Sequence, residues 1–355
     1  MTFQDILAAL AVVLNGLPQA LLALTYGFGA FPTSLAFFAG TAGVIIFQQV
    51  APISFQAESI VLAGTMGRDR NERLNIVFFA GILMAVLGAF GTLGTITQAI
   101  GLSILNAMMA GVGIILAKTA IGMTKEAPLA GGVSMIVGLI IFFLTKNLVY
   151  TVIVSVVASS IVWNILSRNR NKEAQAGQAM PPENEKFKLL KFRLTPRLVR
   201  DILAMCTLQI GGNIAYAGVT GSLAGQTVNT DFVTVYSGLG DAVSSLFGGA
   251  PVEAIISGTA IAPNPIISGI LMMLIMAAIL LSKTMPKIAK YIPSQCIAGF
   301  LFVIGVLVVF PENAVTALSA EPVVASVTTI VTACTDPFVG MIAGVLTRFM
   351  SGLFI

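Results

Sequence analysis

Apolar runs close to twenty residues long follow one another through almost the whole chain, and this feature constrains the fold most. About twenty apolar residues in a helix cross the ~30 Å hydrocarbon core of a bilayer. Of 355 residues, 57% are hydrophobic and 10% charged, whereas soluble domains carry about 25% charge. Such a chain cannot build a hydrated surface, so a water-soluble enzyme is excluded. The runs are continuous and do not alternate, which argues against a transmembrane barrel. The expected fold is an all-α polytopic membrane protein, with the lipid bilayer as its first partner. The 35 glycines suit it, because small residues let membrane helices approach closely.

The pattern predicts about fourteen segments, near 6–27, 32–49, 52–66, 74–92, 100–118, 128–145 and 148–167, then 199–220, 232–248, 251–262, 265–283, 292–310, 316–333 and 337–354. Residues 168–198 read as a basic hydrophilic linker. The third and tenth segments are too short to span alone. Short segments at matching places in two halves point to a transporter binding site. The halves do match: Asp5-Ile6-Leu7-Ala8 with Asp201-Ile202-Leu203-Ala204, Ala51-Pro52 with Ala250-Pro251, and Ala110-Gly111 with Ala298-Gly299. The order and near-constant offset indicate two repeats, 1–167 and 199–355. Seven spans is an odd number, so the second copy is expected upside down.

Basic residues gather in the loops 67–75, 118–127, 168–200 and 283–291, each after an odd-numbered span. The positive-inside rule makes these loops cytoplasmic and both termini outward, in a cell (inner) membrane. Cys206, Cys296 and Cys334 are scattered, and no metal-ligand spacing or cofactor motif is present. No metal, cofactor or nucleic-acid partner is expected, and a homodimer is left open.

Polar groups in mid-membrane are candidates for function. The acids are Glu58, Asp241 and Glu253. Pro52 and Pro251 suit the first turn of a helix, whose free N–H groups would face the midplane and could hold a substrate oxygen. With histidine absent, carboxylates must carry any coupled proton, and Glu58 and Glu253 are the candidates; the bland alternative is a neutral structural acid. Gln209, Asn213, Tyr216 and Thr220 recur at helical spacing, and Asn15 and Gln19 are four apart. Such stripes suit a neutral polar ligand, or else serve as glue between helices. Gly238-Leu239-Gly240-Asp241 spells the motif of intramembrane aspartyl proteases, but the required second aspartate has only Asp231 as a candidate, in the preceding loop.

Ser237 to Pro251, with Phe247-Gly248-Gly249 before the turn, resembles the ninth and tenth spans of nucleobase–cation symporters, the xanthine/uracil and guanine/hypoxanthine permeases. Val50 to Phe55 resembles their third span, and Ile297 to Gly305 their twelfth. The resemblance implies fourteen spans in two inverted sevens. It implies a core of about 1–92 plus 199–284 and a gate of about 93–167 plus 285–355. It places Phe55, Gln56, Asn213, Tyr216, Val252 and Glu253 near the ligand. The family's span-eight acid and histidine fall on Gly212 and Tyr216, and its span-ten glutamate near Ser257.

The expectation is a non-enzymatic secondary transporter of a small polar solute, a nucleobase above all. Alternating access would be coupled to protons through Glu58 or Glu253, with sodium as the other ion. The alternative is a sulfate- or bicarbonate-type anion carrier of the same fold. The acids beside the helix starts count against that alternative.

Overall fold

The structure is a computed structural model that describes residues 1–167, 186–289 and 291–354. Its helices in order are α1 (Phe3–Thr25), α2 (Ala30–Phe47), α3 (Ala57–Met66), α4 (Arg70–Ala89), α5 (Leu93–Ile100), α6 (Leu102–Glu126), α7 (Pro128–Thr145) and α8 (Leu148–Ser167). Then come α9 (Pro196–Leu223), α10 (Thr230–Leu246), α11 (Pro265–Leu281), α12 (Met285–Ala289), α13 (Ala298–Val303), α14 (Phe310–Ala320), α15 (Pro322–Cys334) and α16 (Pro337–Phe354). Two short strands, β1 (Ile53–Ser54) and β2 (Glu253–Ala254), complete the framework around the site.

Local chemistry sets many of these starts. Thr2 and Asp5 form a capping box on α1. Asp69 caps α4 through the Glu72 N–H at 2.8 Å, and Thr195 caps α9 just before Pro196. Proline opens α7, α11 and α15, where its missing N–H costs nothing.

Among the described residues, eight helical segments are long and apolar enough to cross a membrane. The surface is apolar: Ile136, Phe143, Leu144, Ile165, Leu346 and Phe349 are all exposed. The interior holds polar groups such as Asp241, Asn213, Ser244 and Thr328. That distribution is what a hydrocarbon solvent selects. The chain is a multi-pass membrane protein.

Small residues bring the helices together. A Cβ on Gly81 of α4 would lie 2.6 Å from the Gly238 carbonyl oxygen of α10. A Cβ on Gly238 would lie 2.5 Å from the Gly81 oxygen, so the two backbones touch through reciprocal glycines.

Two unwound segments meet inside the bundle. Residues 48–56 leave α2, and residues 247–257 leave α10. Their strands pair antiparallel, Ile53 with Ala254 and Ser54 with Glu253. They enter from opposite faces. Arg70 donates to the Gly27 and Gly248 oxygens, and Arg73 to the Tyr26 and Gly67 oxygens, so the ends of α1, α3 and α10 share one face. On the other face the Asn229 N–H donates to Gln49, and the Asn264 N–H donates to Asp5.

Several expectations are corrected here. Pro52 and Pro251 do not open helices; each precedes a strand, because the residues that follow pair across the bundle instead of coiling. Segment 251–262 contains no half-helix, only β2 and a 3-10 turn at Gly258–Ile261. The break expected at 310–316 is absent. A helical run, α-helical at both ends, crosses from Ala298 to Ala320 through a π-helical stretch at Ile304–Val309, just ahead of Pro311. That stretch rearranges the backbone bonds that Pro311 disturbs. The short helices α5 and α12 do not show in the apolar pattern. Of the linker and the basic loops, residues 168–185 and 290 lie outside the described residues.

Candidate functional site

Gln56 is the N-cap residue of α3, and its side chain makes no capping bond. The first turn of α3 therefore starts deep in the protein with N–H groups not satisfied by a cap. Beside it lies a cavity of about 100 Å³. Asn15, Gln19, Ser54, Phe55, Gln56, Glu58 and Tyr216 border it from α1, the strand segment, α3 and α9. Leu148, Ile304, Glu312 and Asn313 close it from α8 and the helix ending at Ala320.

The polar atoms here are incompletely paired. Tyr216 donates its hydroxyl to Glu58 Oε1 at 3.0 Å. Glu58 Oε2, Ser54 Oγ, Gln19 Oε1 and Asn15 Oδ1 are buried and have no hydrogen-bond partner among the described residues. Native interiors leave few such groups, and these four belong to residues that border one cavity.

The other expected residues build the wall behind the cavity. Ser59 of α3 donates to Glu253 Oε1, which ties α3 to β2. A Cβ at Gly212 would lie 3.1 Å from Glu253 Oε2, so this glycine makes room for that carboxylate. Asn213 donates to Thr234 and Ser237 and accepts the Ala254 N–H. Gln56 donates to the Ala254 oxygen at 2.9 Å. Thr220 donates to the Ile255 oxygen and accepts the Ser257 N–H. Asp241 accepts the Val252 N–H at 2.6 Å and a bond from the Gln209 amide. Asn213 and Asp241, the latter braced by Gln209, thus hold the unwound segment that contains Val252, Glu253 and Ser257, and none of the six borders the cavity. Of the α9 stripe, only Tyr216 reaches it.

Asp231 lies ten positions before Asp241 on the same helix, about 15 Å along its axis. It accepts the Leu93 N–H instead. The two cannot share a proton.

Ser54, Leu148, Glu312 and Asn313 were missed by sequence reasoning. The apolar pattern puts Glu312 and Asn313 in a loop between two spans, so an intramembrane acid is overlooked. The signal available was Pro311 inside an apolar run.

Two kinds of comparison place the chain. Residues 133–323, more than half of it, match the sulfate permease family. No curated protein matches the chain. Among solved structures, the transmembrane domain of the bicarbonate transporter BicA from a cyanobacterium superposes with a TM-score of 0.72 at 18% identity, covering 97% of this chain and 98% of that one. SLC26A9 superposes with a TM-score of 0.65 at 13% identity, over 99% of this chain and 65% of that one. The murine SLC26A9 anion transporter in its inward-facing state gives 0.60 at 14%, over 99% and 68%.

The family match overturns the resemblance to xanthine/uracil and guanine/hypoxanthine permeases, and with it the nucleobase reading. The motifs behind that resemblance are prolines and glycines at breaks in helices. They report how an unwound segment is built, not what it holds. The residues that would have specified a base are absent, with Gly212 and Tyr216 where the nucleobase carriers have an acid and a histidine. The chain belongs to the sulfate permease family.

Proposed function

We propose that the protein is a secondary transporter of a small inorganic or organic anion, held at the first turn of α3. The observation that carries this reading is the cavity beside that turn, whose N–H groups have no side-chain cap. A helix start favours an anion through its free N–H groups and its dipole. At about 100 Å³ the cavity admits a small polyatomic ion. That scale suits an oxyanion such as bicarbonate or sulfate. The sulfate permease match and the named anion carriers of the same fold support this class.

Among the described residues, the cavity is also bordered by Glu58 and Glu312 and by no lysine or arginine. An anion facing carboxylates is disfavoured unless a cation enters with it. The acids that counted against an anion carrier therefore fit a cation-coupled one, with Glu58 and Glu253 as the groups that answer the coupling ion.

The proposed architecture is fourteen crossing segments in two inverted sevens, 1–167 and 199–355. The antiparallel meeting of two unwound segments from opposite faces supports it. The cavity is bordered on one side by the proposed core and on the other by the proposed gate. Movement of one against the other would expose it alternately. The basic loops are placed in the cytoplasm, with the chain in the inner membrane and both termini outward.

The test is uptake by proteoliposomes of labelled bicarbonate, sulfate and small carboxylates, beside uracil and guanine. Saturable uptake of an anion with none of the bases supports the reading. Uptake of a base alone refutes it.

A further inference from the structure

Residues 187–195 form neither helix nor strand, yet the segment is pinned across the bundle as a strap. The Lys188 N–H donates to the Phe247 oxygen at 3.2 Å and the Leu190 N–H to the Leu246 oxygen at 2.8 Å, where α10 ends. Asn71 and Asn75 of α4 both donate to the Lys191 oxygen, and the Arg193 N–H donates to Asn75. Aromatic contacts fix two side chains. The Phe187 ring lies 4.7 Å from that of Phe31 on α2, and the Phe192 ring 5.2 Å from that of Phe78 on α4. Both α2 and α4 are long and apolar enough to cross a membrane, so the strap lies along the flank of spanning helices.

Its sequence interleaves basic and apolar residues: Lys186-Phe187-Lys188-Leu189-Leu190-Lys191-Phe192-Arg193-Leu194. Of these nine only Leu190 is buried. Phe187, Leu189, Phe192 and Leu194 are 51–64% exposed. Arg193 lies 3.9 Å from Glu72. The Lys188 and Lys191 ammonium groups have no hydrogen-bond or ion-pair partner among the described residues. Lys283 adds a further charge from a distant loop, its ammonium 4.4 Å from the centre of the Phe31 ring.

We propose that the strap binds the headgroups of anionic phospholipids in the leaflet on its side of the bilayer. Exposed apolar side chains beside unpaired lysines suit neither bulk water nor pure hydrocarbon. At the interface the rings and leucines enter the acyl boundary while the ammonium groups reach the phosphates. A soluble anion would pair with the lysines and leave the four apolar side chains in water. Basic groups at a membrane surface favour anionic over zwitterionic lipid. The inference rests on the placement in a bilayer and not on the substrate carried.

The chain has one tryptophan, Trp163, which makes a direct test available. Trp163→Phe with Leu189→Trp puts a single fluorescent reporter in the strap. The full chain is reconstituted in mixed phosphatidylcholine and phosphatidylglycerol bilayers, with bromine on the acyl chains of one lipid at a time. Quenching should report an association with phosphatidylglycerol about fivefold or more above that with phosphatidylcholine. Combining Lys188→Gln, Lys191→Gln and Lys283→Gln should remove the preference, and so should high salt, which screens the charges without altering the chain. Ile136→Trp in the Trp163→Phe background, at an exposed apolar position of α7, should show no preference. Equal quenching by the two lipids at Leu189→Trp, or quenching by neither, overturns the site. A preference that survives high salt overturns it too, even where the triple variant fails to fold.

Discussion

The Tyr216 hydroxyl donates to Glu58 Oε1 at 3.0 Å, joining the C-terminal third of α9 to the first turn of α3. This bond fixes one carboxylate oxygen and leaves the other, Oε2, buried without a hydrogen-bond partner among the described residues. Tyr216→Phe removes the donor without changing packing volume. A hydrogen bond to a charged group contributes about 1.5–3 kcal/mol, so apparent affinity in an uptake assay should fall by about 10- to 100-fold. Melting temperature should fall as well, because the same buried bond is lost from the unliganded protein. Uptake unchanged from wild type would show that the bond plays no part in ligand binding.

Gly212 tests how Glu253 is placed. Its missing Cβ leaves the space 3.1 Å from Glu253 Oε2. Gly212→Ala should push that carboxylate away from Ser59 and reduce uptake, at a stability cost of about 1 kcal/mol. Gly212→Val should abolish uptake. Equal uptake by all three forms would mean that Glu253 moves freely and does not link α3 to β2.

The reciprocal contact of Gly81 and Gly238 predicts a purely structural failure. Gly81→Leu forces α4 away from α10 and should destabilise the protein by about 1–3 kcal/mol or more, read as a lower detergent melting temperature. An unshifted melt would mean that the two backbones do not pack as described.

Arg200 of α9 pairs with Asp336, which is buried and also accepts the Val339 N–H at the start of α16. The pair bridges the proposed core and gate. Joining Arg200→Cys to Asp336→Cys with a short bis-methanethiosulfonate reagent, which spans the gap left by the guanidinium, with Cys206, Cys296 and Cys334 replaced, should block uptake until reductant is added. Full uptake in the cross-linked protein would mean that α9 and α16 do not separate during transport.

Much of this arrangement could be read from the residues. The ends of α7, α8 and α16 agree with the apolar runs, because Pro128, Pro337 and the Lys146-Asn147 turn punctuate them sharply. Glu58 could be found because an acid in a short apolar segment after proline is costly to keep there without a function. The helix through Pro311 could not, since the proline reads as a break while the backbone passes it by a π-helical stretch. Nor could the strand at Glu253, which depends on pairing with Ser54 almost two hundred residues earlier in the chain. Asn213 and Gln209 read as ligand-facing amides, but their partners are the unwound segment and Asp241, contacts visible only in three dimensions. The short motifs misdirected the choice of family because they encode breaks in helices that carriers of different substrates share.

Orientation rests on the basic loops. With Cys334 replaced, a cysteine introduced by Gln175→Cys should react with an impermeant reagent only from the cytoplasmic side. Labelling only from outside would invert the proposed topology.

The most direct measurement is anion uptake by proteoliposomes carrying wild-type protein or Glu58→Gln, with and without an inward cation gradient. Wild type should accumulate bicarbonate or sulfate above its external concentration only when the gradient is present. Glu58→Gln should lose that accumulation. Accumulation by Glu58→Gln equal to wild type, or wild-type accumulation with no gradient, would contradict the account.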